Sequence, residues 1–307
     1  MSDSEKPKSS WRERRKRIKH KFEYRYVQIN RICKPVSECL KACVCFDILE
    51  RLGHLAIVVA VIFYFAESGS RQKAEQYQAW QVINLAQGKT GSGGRKDALQ
   101  DLHEDGISLV GVDVSQAYLT HLELPNADLT KANLSKANLF HATLTNTVIQ
   151  DANLFKAYLD SADLRKAKLY RANLIDANLC NTKLMEAELN DANVYDAKLI
   201  LADLSGADLT GANLMLANLH DANLTDVDFN RADLSGADLW RSNLRGIMNW
   251  KKIKSIEKAN INDVNNPPHG FIEWAKENGA VQIRDYGEWK RSLREIRQKQ
   301  TKKKQQK

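Results

Sequence analysis

Residues 127–136 read Ala-Asp-Leu-Thr-Lys-Ala-Asn-Leu-Ser-Lys, a five-residue unit written twice, and this unit decides the fold. From Leu109 to Leu244 every fifth residue is apolar, at 28 positions in unbroken phase, and 24 of them are leucine. The residue two positions before the centre is alanine in 21 of the 28 cases, and the departures are Ile107, Val112, Leu122, Thr147, Thr182, Val227 and Ser242. The unit is therefore Ala-Asn/Asp-Leu-x-x. The centres that are not leucine are Val114, Ile149, Val194 and Phe229.

A period of five fits neither a helix, with apolar residues about every 3.6 positions, nor a half-buried strand, with a period of two. The step of two from alanine to leucine places both side chains on one face of a short extended segment. The remaining residues must turn the chain, so that the next pair again points inward. Repetition predicts a coil with a narrow leucine and alanine interior, whose successive turns pair at roughly 4.7–4.9 Å.

Runs such as residues 127–131, 132–136 and 207–211 resemble the pentapeptide-repeat family, over about 140 of the 307 residues. The resemblance implies an all-β solenoid, a right-handed quadrilateral β-helix in which four pentapeptides make one coil. The 28 repeats then make seven coils, a rod about 34 Å tall at the strand spacing.

A solenoid needs capped ends. Short helices are expected at Arg95–His103 and at residues 270–279, which follow a Pro-Pro break. The predicted organisation is a basic N-terminal segment (1–51), a membrane helix (52–66), a helical linker and N-terminal cap (67–106), the β-helix (107–247), a C-terminal cap (248–285) and a basic helical tail (286–307).

Charge divides the chain in the same way. The net charge is +7 over residues 1–51, −6 over residues 107–247 and +8 over residues 248–307. Basic arms bind nucleic acid, anionic lipid or acidic proteins, so charge alone does not choose the partner.

Residues 52–66 form an apolar stretch of 15 residues without a formal charge. A membrane span needs roughly 20, so two interpretations stay open: a spanning or anchoring helix, which we favour, and a buried or interfacial helix. The 14 Lys and Arg residues that precede the stretch predict a single-pass protein with its N-terminus in the cytoplasm and its repeats on the opposite side. This layout resembles the membrane-tethered pentapeptide proteins of bacteria.

Motifs for catalysis, cofactors or metals fail on inspection. Gly88-Lys89-Thr90 lacks the glycine five residues earlier that a phosphate-binding loop requires, because Ile83 stands there. The cysteines crowded between Cys33 and Cys45 have neither zinc-site spacing nor a set of histidines. The many Asp residues stand beside the leucines at outward positions where Asp alternates freely with Asn, which catalysis would not permit. We therefore predict a non-enzyme without cofactor or metal.

Two functions remain. The first is a membrane-tethered scaffold whose flat sides bind a protein partner of unknown identity, with a homodimer as one possibility. The second is an acidic rod that imitates duplex DNA, because some proteins of the resembled family bind DNA gyrase in this way. Lysines interrupt the acidity of the repeats, and an anchor would hold the rod away from the nucleoid. These features favour the scaffold and argue against nucleic acid as a ligand.

Residues 20 apart should stack on one side of the rod, and the residue after each leucine should face outward. One such column holds four apolar residues at about 4.8 Å spacing, which a solvated surface does not require. We predict a docking or dimer surface centred on this column, although tolerated single exposures would give the same pattern. The column is Phe155, Ile175, Tyr195 and Met215, and neighbouring columns add Phe140, Ile200 and Trp240.

Overall fold

The computed structural model describes residue 57, residues 72–86 and residues 91–294. The chain divides into two compact units, Met1–Tyr77 and Gln78–Lys307. The rod belongs to the second unit. The helices are α1, whose described part covers residues 72–85, α2 (Arg95–Glu104), α3 (Phe271–Glu277) and α4 (Tyr286–Ser292), with a 3₁₀ turn at Trp250–Lys252.

The repeats form a four-sided β-helix. From Asp113 to Asp228, parallel bridges join the residue before each centre to the residue 20 positions on, as in Asp113 with Asn133 and Asn133 with Asn153. Within the described residues every β contact is an isolated bridge, so the extended segments that pair from coil to coil in this β-helix are short. The reason is the turn after each leucine. The Ala132 N–H donates to the Leu129 carbonyl at 2.9 Å, and Lys131 between them has a φ of 60°.

The interior follows the repeat. All 28 central side chains are at most 2% exposed, and the residues two positions earlier are buried as well, except Ile107, which is half-buried. Where a hydroxyl replaces alanine, it is satisfied inside the coil. Thr147 Oγ1 donates to the Leu124 carbonyl at 2.8 Å, and Ser242 Oγ donates to the Leu239 carbonyl at 2.7 Å.

Helix α2 closes the N-terminal end, as predicted. Its Leu99 and Leu102 join the rod core together with Ile83 of α1. Arg95 is fully buried and donates to the carbonyls of Ala86 at 2.9 Å, Ser92 at 3.3 Å and Ser115 at 3.4 Å, and also to that of Gly91. This guanidinium therefore ties α1, the loop before α2 and the first coil together.

At the C-terminal end the coiling continues past residue 247 into residues 248–285, the predicted cap. Asp233 bridges to Ser255 and Asn243 to Asn265, a step of 22 residues that accommodates the 3₁₀ turn. Helix α3, which confirms the second expected cap helix, then covers this coil. Its Phe271 and Trp274 pack on Trp250, with ring centroids 5.7 and 5.4 Å away.

No helix in the described ranges is long and apolar enough to cross a membrane. The predicted membrane helix, residues 52–66, lies outside the described residues except for Ile57. The cysteines at 33–45, residues 87–90 with the Gly88-Lys89-Thr90 motif, and residues 295–307 of the basic tail also lie outside them.

Candidate functional surfaces

The outward columns are held by side-chain amides. Each amide that precedes a central leucine accepts the N–H two residues on, as Asn153 Oδ1 does from Phe155 at 3.2 Å and Asn173 Oδ1 from Ile175 at 3.3 Å. The same amides bond to one another between coils, with Asn173 Nδ2 donating to Asn153 Oδ1 at 3.0 Å. Where Asn or Asp precedes the leucine, this bond fixes the backbone beneath the next outward side chain. In the other repeats, including those of Tyr118, Tyr158 and Lys198, backbone hydrogen bonds between coils hold it, as from the Tyr158 N–H to the Ala137 carbonyl at 2.9 Å.

We call the column Phe155, Ile175, Tyr195 and Met215 the apolar strip, and all four side chains are half-buried. The chain itself covers the C-terminal half of the strip. Trp289 of α4 and the following Leu293 are 3% and 1% exposed, and they form one apolar cluster with Leu216, against which Tyr195 and Met215 pack.

Two hydrogen bonds fix α4 in this position. The Trp289 indole N–H donates to the Lys258 carbonyl at 3.1 Å, and Lys258 Nζ donates to the Ser292 carbonyl at 3.1 Å. While α4 is docked, Tyr195 and Met215 are not free for another molecule. The strip therefore has an occupant within the chain, which no periodic signal of the sequence indicated.

At the other half of the strip, Lys156 lies over the Phe155 ring, 5.0 Å from its centroid, and forms an ion pair with Asp176 at 3.8 Å. This half offers only Phe155 and Ile175 as apolar contacts.

The next side of the rod is different. It consists of the pentapeptides centred on every fourth leucine from Leu119 to Leu239, and we call it the aromatic face. The predicted residues Phe140, Ile200 and Trp240 all lie on it. Seven large hydrophobic residues between 107 and 265 are exposed, and four of them share this face. These four are Tyr118 (56% exposed), Phe140 (40%), Tyr158 (53%) and Leu201 (56%).

Sequence reasoning missed Tyr118, Tyr158 and Leu201, because it examined only the residue after each leucine. The residue before the leucine and the second residue after it also face outward. Reading all three outward columns at a period of 20 would have found the aromatic face.

The charges of this face gather near its C-terminal end. His220 Nε2 lies 2.8 Å from Asp221, which also pairs with Arg241 at 3.2 Å, and the His220 ring meets Trp240 edge-on at 4.9 Å. Asp238 is 1% exposed, and burial raises the pKa of its carboxyl group. It accepts hydrogen bonds from the Trp240 N–H and from Asn260 Nδ2, both at 3.2 Å.

The described residues hold no group of three or more His, Cys, Asp or Glu side chains placed to bind a metal. His121 and His141 stack on the aromatic face with ring centroids 5.4 Å apart. A groove of about 400 Å³ lies where the strip side meets the aromatic face, lined by Tyr158, Lys198 and Asp176 among others. The groove thus combines one aromatic ring with side chains of both charges.

Comparisons with known proteins identify the repeats. The sequence model of a family described as pentapeptide repeats matches eight copies, over residues 107–146, 149–185, 187–214 and 212–247. A comparison with curated proteins found no match.

Among solved structures, the chain is similar to HetL, a pentapeptide repeat protein involved in heterocyst differentiation regulation from the cyanobacterium Nostoc. The identity is 30% over 57% of this chain and 80% of HetL, with a TM-score of 0.31. A pentapeptide repeat protein from the Arabidopsis thaliana thylakoid lumen is 28% identical over 43% of this chain and 77% of its own, with a TM-score of 0.16. A trypsin-treated variant of QnrB1, a plasmid-mediated fluoroquinolone resistance protein, is 15% identical over 53% of this chain and 81% of its own, with a TM-score of 0.42.

Proposed function

Because the chain belongs to the pentapeptide-repeat family, we propose that it is a non-enzymatic scaffold, tethered to a membrane through residues 52–66, that binds a protein partner through the aromatic face. One observation carries the binding part of this proposal. Leu201 is held at a φ of 58° with 56% of its surface exposed. A non-glycine residue in the left-handed region costs roughly 1–2 kcal/mol, and a leucine there gains nothing from water.

The corresponding position of every repeat carries a positive φ, and in 26 of the 28 repeats it holds glycine or a polar or charged residue. Leucine stands there only at Leu201 and Leu216. Leu216 is 4% exposed because Trp289 and Leu293 cover it. By the same reasoning, we expect Leu201 and the exposed aromatic residues of the same face to be covered by another molecule.

The binding surface is tested by a matched pair of triple variants. Phe140→Ser, Tyr158→Ser and Leu201→Asn alter the aromatic face, whereas Val110→Ser, Tyr170→Ser and Met248→Ser alter the opposite side. We expect the first variant to lose the proteins that cross-link to the rod in cells, and the control to keep them. Both should keep the thermal midpoint within a few degrees. Equal cross-linking by both variants would refute the aromatic face as the binding surface.

The tether is supported by the uncharged stretch 52–66 and the basic segment before it. We expect full-length protein to stay in the membrane fraction after carbonate and after high-salt washing, because neither treatment extracts a spanning helix. A variant lacking residues 52–66 should appear in the supernatant. Release of the intact protein by salt alone would instead favour attachment by charge.

The alternative, an acidic rod that imitates DNA, requires a continuous run of negative charge along the rod. The charged columns alternate instead. Arg171 pairs with Asp151 at 2.7 Å and Lys166 with Glu186 at 3.4 Å, each one coil apart. We therefore expect the purified protein to leave gyrase supercoiling unchanged, and inhibition at equimolar protein would return the DNA-mimic interpretation to first place.

A further inference from the structure

We propose that the aromatic face binds a second copy of this chain, with the two rods antiparallel and a two-fold axis through the middle coil. This inference rests on the proposed function, because it names the partner of the same surface. Seven pentapeptides make up the face, and residues 177–181, which contain Cys180, are the fourth.

The apolar residues are distributed evenly about that fourth coil. Tyr118, Phe140 and Tyr158 occupy coils one to three, while Ile200 and Leu201 occupy coil five and Trp240 coil seven. In an antiparallel pair, coil one meets coil seven and coil three meets coil five. Tyr118 then reaches Trp240, and Tyr158 reaches Ile200 and Leu201. Every contact occurs twice, as an isologous interface requires.

The charges obey the same pairing. Asp160 in coil three meets the height of Lys198 in coil five, and by the two-fold symmetry this pairing occurs twice. A parallel pair would bring each of these charges to the height of its own copy, which is repulsive. The face carries two basic residues, Lys198 and Arg241, and three acidic ones, Asp160, Asp221 and Asp238, a net charge of −1 per copy. Self-association therefore meets little net repulsion.

The size of the face predicts a weak dimer. Seven coils at about 4.8 Å and three outward residues at about 3.3 Å give a flat area of roughly 340 Å² per copy. Protruding side chains enlarge this area, yet the total surface buried by the two copies stays below the roughly 1,200 Å² typical of stable complexes. The dimer should form at micromolar concentrations, and a tether that confines both copies to one membrane would favour it.

The test uses native Cys180 as a distance probe. In full-length protein whose four N-terminal cysteines are replaced by serine, a bis-maleimide that spans about 10 Å, the separation of packed sheets, should link two Cys180 thiols. The aromatic-face triple variant should lower the linked fraction at least tenfold, and the opposite-side triple variant should leave it unchanged. Cys180→Ser should abolish the product.

Two further variants fix the orientation in a Cys180→Ser background. Ser161→Cys alone should not link, because its two copies lie about two coil heights apart in addition to the gap between the sheets. An equimolar mixture of the Ser161→Cys protein and a Leu201→Cys protein should link, because coil three of one copy faces coil five of the other. Strong linking by Ser161→Cys alone would overturn the antiparallel arrangement.

Sedimentation in detergent separates failure of the dimer from failure of the proposed function. A protein that remains monomeric at about 100 μM, well above a micromolar Kd, without Cys180 linking, overturns the dimer. If the aromatic-face variant nevertheless loses a different cross-linked protein in cells, the scaffold function stands. If it loses none, both proposals fall.

Discussion

Two leucines of this rod, Leu201 and Leu216, have a positive φ, and we expect their replacement by asparagine to change the stability in opposite directions. Leu201 has a φ of 58° and is 56% exposed, whereas Leu216 has a φ of 62° and is 4% exposed. Asparagine tolerates the left-handed region better than leucine, so both substitutions relieve backbone strain worth roughly 1 kcal/mol.

The buried position also loses its apolar contacts. Leu216 packs with Trp289 and Leu293, and burial of a leucine side chain contributes about 1.5–3 kcal/mol. Leu216→Asn should therefore destabilise the docking of α4 by about 1.5–3 kcal/mol, because the relief of backbone strain acts on the rod whether or not α4 is docked. Leu201→Asn has no such loss and should stabilise the rod by about 0.5–1 kcal/mol.

Denaturant unfolding and hydrogen exchange measure the two effects. We expect Leu216→Asn to raise exchange in residues 286–292 by at least tenfold, since 1.4 kcal/mol corresponds to one decade, while the central coils stay protected. We expect Leu201→Asn to raise the denaturation midpoint and to leave residues 286–292 unchanged. Changes of the same sign at both positions would refute the argument that α4 explains the leucine at 216.

Three further substitutions test the core, the buried carboxyl group and the N-terminal cap. Leu174→Ala, at a fully buried centre of the middle coil, should lower the free energy of unfolding in urea by about 3–5 kcal/mol, whereas Leu174→Lys should prevent stable folding. A loss of less than about 1 kcal/mol for Leu174→Ala, as at an exposed site, would contradict the coil assignment. Burial raises the pKa of Asp238, so the stability linked to this group is present below its unfolded pKa of about 3.9 and is lost as the pH rises through the folded pKa. Asp238→Asn should therefore raise the Tm at neutral pH, and a difference that persisted below about pH 4 would exclude this cause. Arg95→Lys should cost about 3 kcal/mol and increase exchange in α2, because one ammonium group cannot span the carbonyls that the guanidinium holds; unchanged exchange would show that the cap needs only the charge.

The interior of this fold could be predicted from the sequence because every inward position repeats. The five-residue period determines which side chain enters the coil, so the burial of all 28 centres follows from the sequence alone. The stacking of residues 20 apart follows from four repeats per coil, which the family resemblance supplied. The shortness of the extended segments could not be predicted. The number of bridged residues depends on where the turn begins, and the leucine and alanine pattern is compatible with both a short and a longer extended segment.

The outward surface was harder, because its contacts join segments that share no period. Trp289 lies 31 residues from Lys258, whose carbonyl it bonds, and no spacing rule connects them. The apolar strip was visible as a column, yet its occupant was the chain's own α4. The chain therefore covers part of the apolar strip with a helix, whereas the exposed residues of the aromatic face lie on the next side.

The two leucines at left-handed positions show where the repeat is under a second constraint. The coil requires only that the residue at this position tolerate a positive φ, and glycine, asparagine and aspartate satisfy that requirement at the lowest cost. Leucine is among the residues the backbone favours least there. At Leu216 the cost is offset by contacts with Trp289 and Leu293, which the rod could not form with a polar residue. Leu201 has a similar φ but is 56% exposed, and it lies on the side of the rod that also holds Tyr158, Ile200 and Lys198. Leucine occupies only two of the 28 equivalent positions, and at one of them a helix docks on it, which argues that docking also accounts for the leucine at the other.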